Sequence, residues 1–425
     1  MELIKRDFYL QELISRKGNG LIKVITGIRR CGKSYLLFEL YRDYLLSEGV
    51  KEDNIISLAL DDDANAAYRD ANELSKYVRS KVADKSQMYY VFIDEIQYAI
   101  KKEDLKSDKP LPLYSVLNGF LHLKNVDVYV TGSNSKLLSK DVMTEFRGRG
   151  DEVHVYPLTF KEYYDYVGGD KAEAFEEYSL YGGLPFTLSL ADPRKKMKYL
   201  GDLFKEVYFK DVSERYEIEL PEVMQLLTDV LCSSIGSLVN SNKLANTLQT
   251  VRKVKISSET VAKYLDYLQE SFLFDCARRY DVKGKKYFSY PSKYYCADLG
   301  LRNARLNFRQ NEETHAMENI IYNELVARGY AVDVGVVEVS ESGKKKHCEI
   351  DFVANMGPER YYIQSAYNIA NDEKKESELR SLLATKDFFK KIVITDSRGG
   401  KRYDDKGIIY IGLFDFLLDK NSLKG

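Results

Sequence analysis

Eight residues, Gly27-Ile28-Arg29-Arg30-Cys31-Gly32-Lys33-Ser34, have the types and spacing that hold phosphate. The two glycines let the backbone turn tightly and bring its N–H groups to phosphate oxygens that a Cβ would obstruct. Lys33 has the reach for β- and γ-phosphates, and the Ser34 hydroxyl suits a place on Mg²⁺. A second chemical pair, Asp94-Glu95, closes the apolar run Val91-Phe92-Ile93. Asp94 would order the metal, and Glu95 would polarise a water for attack on the γ-phosphate. Loop and acids together predict binding of a nucleoside triphosphate and its hydrolysis. The expected nucleotide contacts are Gly27, Arg30, Cys31, Gly32, Lys33, Ser34 and Tyr35, with Ser34 and Asp94 on the metal.

Two further groups are candidates at the same site. Ser133 and Asn134, in Thr131-Gly132-Ser133-Asn134, would sense the γ-phosphate or the attacking water. They would equally serve as a polar turn opening a helix at Lys136-Leu137-Leu138. Arg147 and Arg149 lie in Phe146-Arg147-Gly148-Arg149-Gly150. Such an arginine could stabilise transition-state charge within its own subunit or across an interface, or lie in a solvated basic turn.

These residues need a frame. The run Leu21–Thr26 before the loop and Tyr35–Leu40 after it read as buried strand, then helix. Residues 54–60, 88–95 and 126–130 are the next strand-like segments, separated by helical patterns, so a parallel sheet with helices on both faces is expected. Ligands of such sheets bind at the carboxyl ends of the strands, where the loop and both acids fall. Residues 1–20 suggest a short amphipathic helix with Phe8, Leu10, Leu13 and Ile14 on one face.

At 425 residues the chain is too long for one ordinary core. Apolar and charged fractions of 44% and 30% are those of a soluble globular protein, and net charge is −1, so nucleic-acid binding needs a local basic patch. There is no run suited to a bilayer and no apolar leader, which predicts no membrane association. Five singly scattered cysteines suit reduced thiols in the cytoplasm rather than a disulfide framework. His154 alternates with apolar neighbours, as a core histidine does. The sequence suggests no functional account for the 34 tyrosines or the absence of tryptophan.

From about 160 to 290 the pattern turns helical, with Tyr181-Gly182-Gly183-Leu184-Pro185 as a turn between helices. Three amphipathic segments lie between Pro221 and Phe274. The last is opened by a serine cap and lines up Val261, Tyr264, Leu265 and Leu268. Leu273–Tyr280 and Lys286–Tyr290 then read as a hairpin across Gly284. Three helices and a hairpin are the order of a winged helix, whose wing Arg278, Arg279, Lys283, Lys285 and Lys286 would charge for DNA phosphates. Such modules also dock proteins. After about 296, Glu318 on a helix and Asp351 on a strand have the makings of a Mg²⁺ site, but the following strand carries Gln364 and Ala366 where an acid and a lysine belong. His347-Cys348 lacks a second pair at zinc spacing.

Together these motifs resemble prokaryotic AAA-type P-loop ATPases with a C-terminal domain related to PD-(D/E)xK nucleases. The marks are Gly27–Ser34, Phe92-Ile93-Asp94-Glu95-Ile96-Gln97, Thr131–Asn134, Gly148-Arg149 before Tyr156-Pro157-Leu158, Tyr181–Pro185 and Glu349-Ile350-Asp351-Phe352. The resemblance implies an AAA-type ATPase core at 1–160, a helical lid and winged-helix-like region at 161–295, and a nuclease-like, degenerate α/β domain at 296–425. It favours Arg149 over Arg147 as arginine finger. Expected catalytic residues are Lys33, Glu95, Asn134 and Arg149, with ATP and Mg²⁺ as ligands. Expected partners are double-stranded DNA through 257–290, a protein, or further copies of the chain. The alternatives are a nucleotide-gated DNA-binding regulator with negligible turnover and an ATP-coupled nuclease.

Overall fold

Four apolar-rich runs and a fifth, more polar one pair side by side in the N-terminal part of the chain: β1 (Ile22–Thr26), β2 (Ile55–Ala59), β3 (Tyr89–Asp94), β4 (Val126–Thr131) and β5 (Gly150–His154). The computed structural model describes residues 4–105, 111–133, 148–209, 212–213, 216–253, 255–288, 291–310, 312–341, 344–367, 379–396 and 400–424. The five strands form a parallel sheet in the order β2-β3-β4-β1-β5. This is the parallel P-loop sheet that the strand–helix alternation predicts. Strands buried on both faces read as continuous apolar runs. Most side chains of β1, β3 and β4 have no access to solvent.

Helices cover both faces. The first helices are α1 (Asp7–Ser15) and α2, which runs from Lys33 to Ser47 through the segments Lys33–Tyr35, Leu36–Tyr41 and Arg42–Ser47. On α2, Tyr41 and Phe38 pack on Tyr129 and Phe92 of the sheet. Helices α3 (Ala71–Lys81) and α4 (Pro112–Phe120) bring Leu74, Val78, Leu113, Leu117 and Phe120 onto Val24, Leu58, Val91 and Val128 on the other face. In α1 the buried residues are Tyr9 and Leu13, whereas Phe8 is 37% exposed. The buried face is therefore rotated from the expected stripe toward Tyr9.

The chain divides into two units, Met1–Pro157 with Glu270–Phe272, and Leu158–Gln269 with Leu273–Gly425. The second unit begins with α5 (Phe160–Val167), α6 (Lys171–Tyr181) and α7 (Pro193–Asp202). Next come α8 (Pro221–Ser233), the short strand β6 (Leu238–Val239), α9 (Ser241–Arg252) and α10 (Ser258–Glu270). Ser257 Oγ accepts from the Thr260 amide, and Val261, Tyr264, Leu265 and Leu268 are buried. Strand β7 (Phe274–Ala277) does not pair with Lys286–Tyr287. It pairs antiparallel with β10 (Ser292–Cys296), which also takes β6.

The intervening β8 (Arg279–Asp281) and β9 (Lys286–Tyr287) form their own hairpin at the edge of a larger sheet. That sheet runs β15-β16-β14-β13-β12-β11-β8-β9, with β11 (Ala331–Glu341), β12 (Lys344–Met356), β13 (Glu359–Ala366), β14 (Lys390–Thr395), β15 (Arg402–Tyr403) and β16 (Ile409–Gly412). The expected hairpin across Gly284 is therefore present but short among the described residues: Tyr280–Asp281 pair with Lys286–Tyr287, while β7 joins β10 and β8 takes β11 as a second, parallel neighbour. The same pairing carries the chain across the expected boundary at 295, and 161–295 and 296–425 share one unit rather than two. Helices α11 (Leu299–Arg305), α12 (Glu313–Ala327) and α13 (Leu413–Leu418) complete it.

Candidate functional site

The loop between β1 and α2 is shaped by its glycines. Gly27 has φ +138°, and a Cβ there would lie 2.2 Å from the Val155 carbonyl oxygen. Gly32 has φ +100° and caps the helix, and Arg30 also adopts a left-handed backbone at +65°. The Leu36 amide donates to Gly32 O at 2.9 Å, so the helix begins at once and its first-turn amides face the loop. Cys31 is fully buried and its thiol meets Val155 O at 3.2 Å, so this side chain anchors the loop instead of facing a ligand. The Lys33 ammonium, 4% exposed, donates to the carbonyls of Gly27 and Ile28 at 3.0 Å each. Arg30 is exposed, and Ser34 and Tyr35 are half-buried.

β3 delivers the acids to the same sheet edge. The Ser34 hydroxyl bonds the Asp94 carboxylate. Thr131, at the end of β4, donates to Asp94 Oδ1 and accepts from the Glu95 amide at 3.1 Å. Burial raises the Asp94 pKa above its ordinary value, with the Thr131 bond and then the Glu95 charge as the next influences. Glu95 sits in a left-handed backbone, φ +52°, and its carboxylate accepts from Gln97 Nε2. Non-glycine residues adopt that conformation mainly where the surroundings enforce it. The Ser133 hydroxyl accepts from Arg29 Nε at 3.1 Å, joining the strand tip to the loop. Gly27–Ser34, Asp94, Glu95 and Ser133 therefore meet at one pole, with β4 between the strands that carry loop and acids. A glycine-lined amide loop, a lysine and an Asp–Ser oxygen pair suit a triphosphate and Mg²⁺.

Asn134 and Arg147 fall outside the described residues. Arg149 precedes β5, and its carbonyl accepts from the Ile22 amide at 2.9 Å. Since Ile22 pairs with Gly150 and Thr26 with His154, Arg149 lies at the amino edge of the sheet, about 16 Å of strand rise from the loop. This placement corrects the expectation of a finger acting within its own subunit. The sequence pattern missed the reason: the glycine-arginine pair opens a strand parallel to β1 and so starts at the wrong end.

Sequence reasoning also missed the support behind the loop. The Thr26 hydroxyl, one residue before Gly27, donates to Glu152 Oε1 at 2.6 Å and lies 2.8 Å from His154 Nδ1. With its one proton given to Glu152, Thr26 must accept from the histidine, which places that ring's proton on Nδ1. Burial, then the Lys33 charge, lowers the His154 pKa to about 4, and the ring is neutral at pH 7. Nothing in the local sequence signals this trio; only strand register brings it together.

In the second unit, Glu318 of α12 and Asp351 of β12 do converge. The Lys293 ammonium of β10 stands between them, 2.8 Å from Glu318 Oε1, 2.8 Å from Glu349 Oε1 and 3.4 Å from Asp351 Oδ1. Burial and then Asp351 push Glu318 up to about 7. From β13 come Gln364, whose amide oxygen accepts from the Asp351 backbone at 3.4 Å, and the amide of Ser365, which donates to Asp351 Oδ2 at 2.9 Å. A cluster that already holds its own cation, Lys293, with Gln364 and Ala366 in place of acid and base, does not fit a catalytic metal. Among the described residues no His/Cys/Asp/Glu group has metal-site geometry, Cys348 and His347 included. No described helix is long and apolar enough to cross a membrane.

Comparison with known proteins follows this division. Residues 19–164 match the model of an AAA domain, and 172–312 match a domain of unknown function, DUF8612. An uncharacterized protein of Haemophilus influenzae is 34% identical over 424 residues, covering 98% of this chain and 99% of its own. One from Methanocaldococcus jannaschii is 30% identical, covering 89% and 81%. Among solved structures, a Walker-type ATPase of Pyrococcus abyssi is 18% identical with a TM-score of 0.48, covering 72% of this chain and 96% of that one. The match to the domain of unknown function lends no support to a nuclease-like C-terminal part.

Proposed function

The chain belongs to a family of AAA-type P-loop proteins with full-length relatives, and we propose that it is a Mg²⁺-dependent ATPase whose nucleotide state governs contact with DNA. One observation carries the reading: the loop, the Ser34–Asp94 contact and Glu95 gather at one pole of the sheet. In this reading Lys33 exchanges its two loop carbonyls for β- and γ-phosphate oxygens. Ser34 and Asp94 would hold Mg²⁺, which would supply positive charge beside the transferring phosphoryl group. Glu95, fixed by Gln97 and by its own strained backbone, orients the water. Asn134 senses the γ-phosphate. Arg149 serves only a neighbouring copy, since its own loop is out of reach, and this ties full activity to a homo-oligomer.

DNA is favoured over a protein partner by the β8–β9 hairpin, where Arg278, Lys283, Lys285 and Lys286 are exposed. Packing there leaves the charges outward: the Arg278 guanidinium lies over the Tyr287 ring at 4.3 Å, and Lys283 reaches Glu338 O at 3.1 Å. The test is ATP turnover by wild type, Lys33→Ala, Glu95→Gln and a Lys283→Glu/Lys285→Glu/Lys286→Glu variant, with and without duplex DNA. We expect Lys33→Ala to lose nucleotide binding and Glu95→Gln to bind ATP but turn it over at least about a hundredfold more slowly. The triple variant should keep basal turnover and lose the response to DNA. Turnover unchanged in Glu95→Gln would leave a nucleotide-gated regulator, and a DNA response unchanged in the triple variant would move the partner elsewhere.

A further inference from the structure

The acidic centre of the second unit is largely buried and holds a cation of its own. Three carboxylates, from Glu318, Glu349 and Asp351, face one another with solvent access of their side chains at 13%, 32% and 11%. Oxygen ligands of this kind and number attract a divalent cation. The cation among them is instead Lys293, whose ammonium donates to Glu318 and Asp351 and lies 2.8 Å from Glu349 Oε1, and whose side chain is 5% exposed. Two further donors reach the same carboxylates. Tyr295 donates its hydroxyl to Glu318 Oε1 at 2.7 Å, and the Ser365 amide donates to Asp351 Oδ2. Gly236 lies against Glu318, so close that a Cβ there would be 3.0 Å from Oε1.

We infer that Lys293 is a built-in cation: it permanently fills the place a divalent metal would take and clasps β10, α12 and β12 together. An ammonium carried by a strand neither dissociates nor leaves an open coordination position for a substrate. The centre is therefore structural and metal-independent, and phosphodiester cleavage does not occur there. The inference stands apart from the ATPase reading, since none of these residues belongs to the nucleotide pole.

The geometry also dictates what removal of the ammonium does. Without it, three carboxylates of up to three negative charges share one buried space, a state tolerable only if protons or a cation enter. Mn²⁺ titrations followed by electron paramagnetic resonance, together with thermal melts, test this on the full chain without nucleotide. Wild type should show no Mn²⁺ binding that Asp351→Asn removes, and no Mn²⁺ shift in its melting temperature. Lys293→Met, which keeps the side-chain volume, should melt lower, bind Mn²⁺ at least about tenfold more tightly than wild type and recover melting temperature with it. Adding Asp351→Asn to Lys293→Met should abolish that gain. Lys293→Arg retains the cation and should behave as wild type. If Lys293→Met does not fold, wild type and Lys293→Arg decide the matter, and their indifference to Mn²⁺ supports the clasp. A Mn²⁺ site in wild type that depends on Asp351 or Glu318, or a Lys293→Met variant as stable as wild type, overturns it.

Discussion

Lys23 shows how a single residue can hold the nucleotide strand in place. It lies on β1 with no solvent access, donates to Asp127 on the neighbouring strand and to Leu21 O at 3.0 Å, and burial lowers its pKa despite the aspartate. Asp127 also accepts from the Tyr129 hydroxyl at 2.8 Å and the Gly18 amide at 2.9 Å. A buried pair contributes little over apolar side chains of equal volume, but breaking it strands a charge. Asp127→Ala should therefore cost about 3–5 kcal/mol in urea unfolding, and adding Lys23→Met should restore most of the loss. A double variant no more stable than the single one would show that the charge is not what the aspartate balances. At this scale the loop and the two acids were legible, because phosphate and metal chemistry demand those residue types at those spacings. Lys23–Asp127 and Thr26–Glu152–His154 were not, since each joins residues more than a hundred positions apart.

Between elements, Asp298 does comparable work with one carboxylate. It is 2% exposed, accepts from the Gly183 amide at 2.7 Å and from the Leu301 amide at 3.0 Å, and so joins the end of α6 to the start of α11. Gly182, at φ +75°, lies where a Cβ would come 2.2 Å from Asp298 Oδ1. The turn at Tyr181–Pro185 therefore needs its glycine for this approach as well as for breaking a helix. Burial raises the Asp298 pKa to about 6, above the unfolded value of about 3.9. A raised folded pKa means the native state binds the proton more tightly. The associated stability is present below about pH 4 and is lost as pH rises through about 6. Asp298→Asn cannot titrate, so between pH 4 and pH 7 its stability should improve relative to wild type by up to about 3 kcal/mol. Unfolding curves at both pH values check this; a pH-independent difference would mean that the carboxylate stays charged throughout.

The whole molecule is two units of different construction, one a parallel sheet built around a phosphate loop and one combining helices with a mixed sheet. Units with separate cores need not unfold together. Calorimetry should resolve two transitions, and a non-hydrolysable ATP analogue with Mg²⁺ should raise one of them. At a hundred times its dissociation constant the analogue should add about 2.7 kcal/mol to the unit that binds it. Lys33→Ala should remove that shift and leave the other transition in place. A ligand shift that persists in Lys33→Ala would place nucleotide binding outside the loop.

The sequence by itself determined the parallel sheet, its two-sided helical cover and the nucleotide pole. Each rests on local signals: continuous apolar runs, helical periodicity and a glycine loop whose neighbours in the chain are its neighbours in space. Tertiary structure decided what depends on pairing between distant segments. Strand direction put Arg149 at the far edge of its sheet, because a parallel strand next to β1 must begin where β1 begins. Competition for edges drew β7 onto β10 and gave β8 a second neighbour in β11, so only the tip of the expected hairpin, β8 with β9, remained. Only the meeting of β10, α12 and β12 set Lys293 among three carboxylates, where its charge occupies the space that the acids alone would have left for a metal.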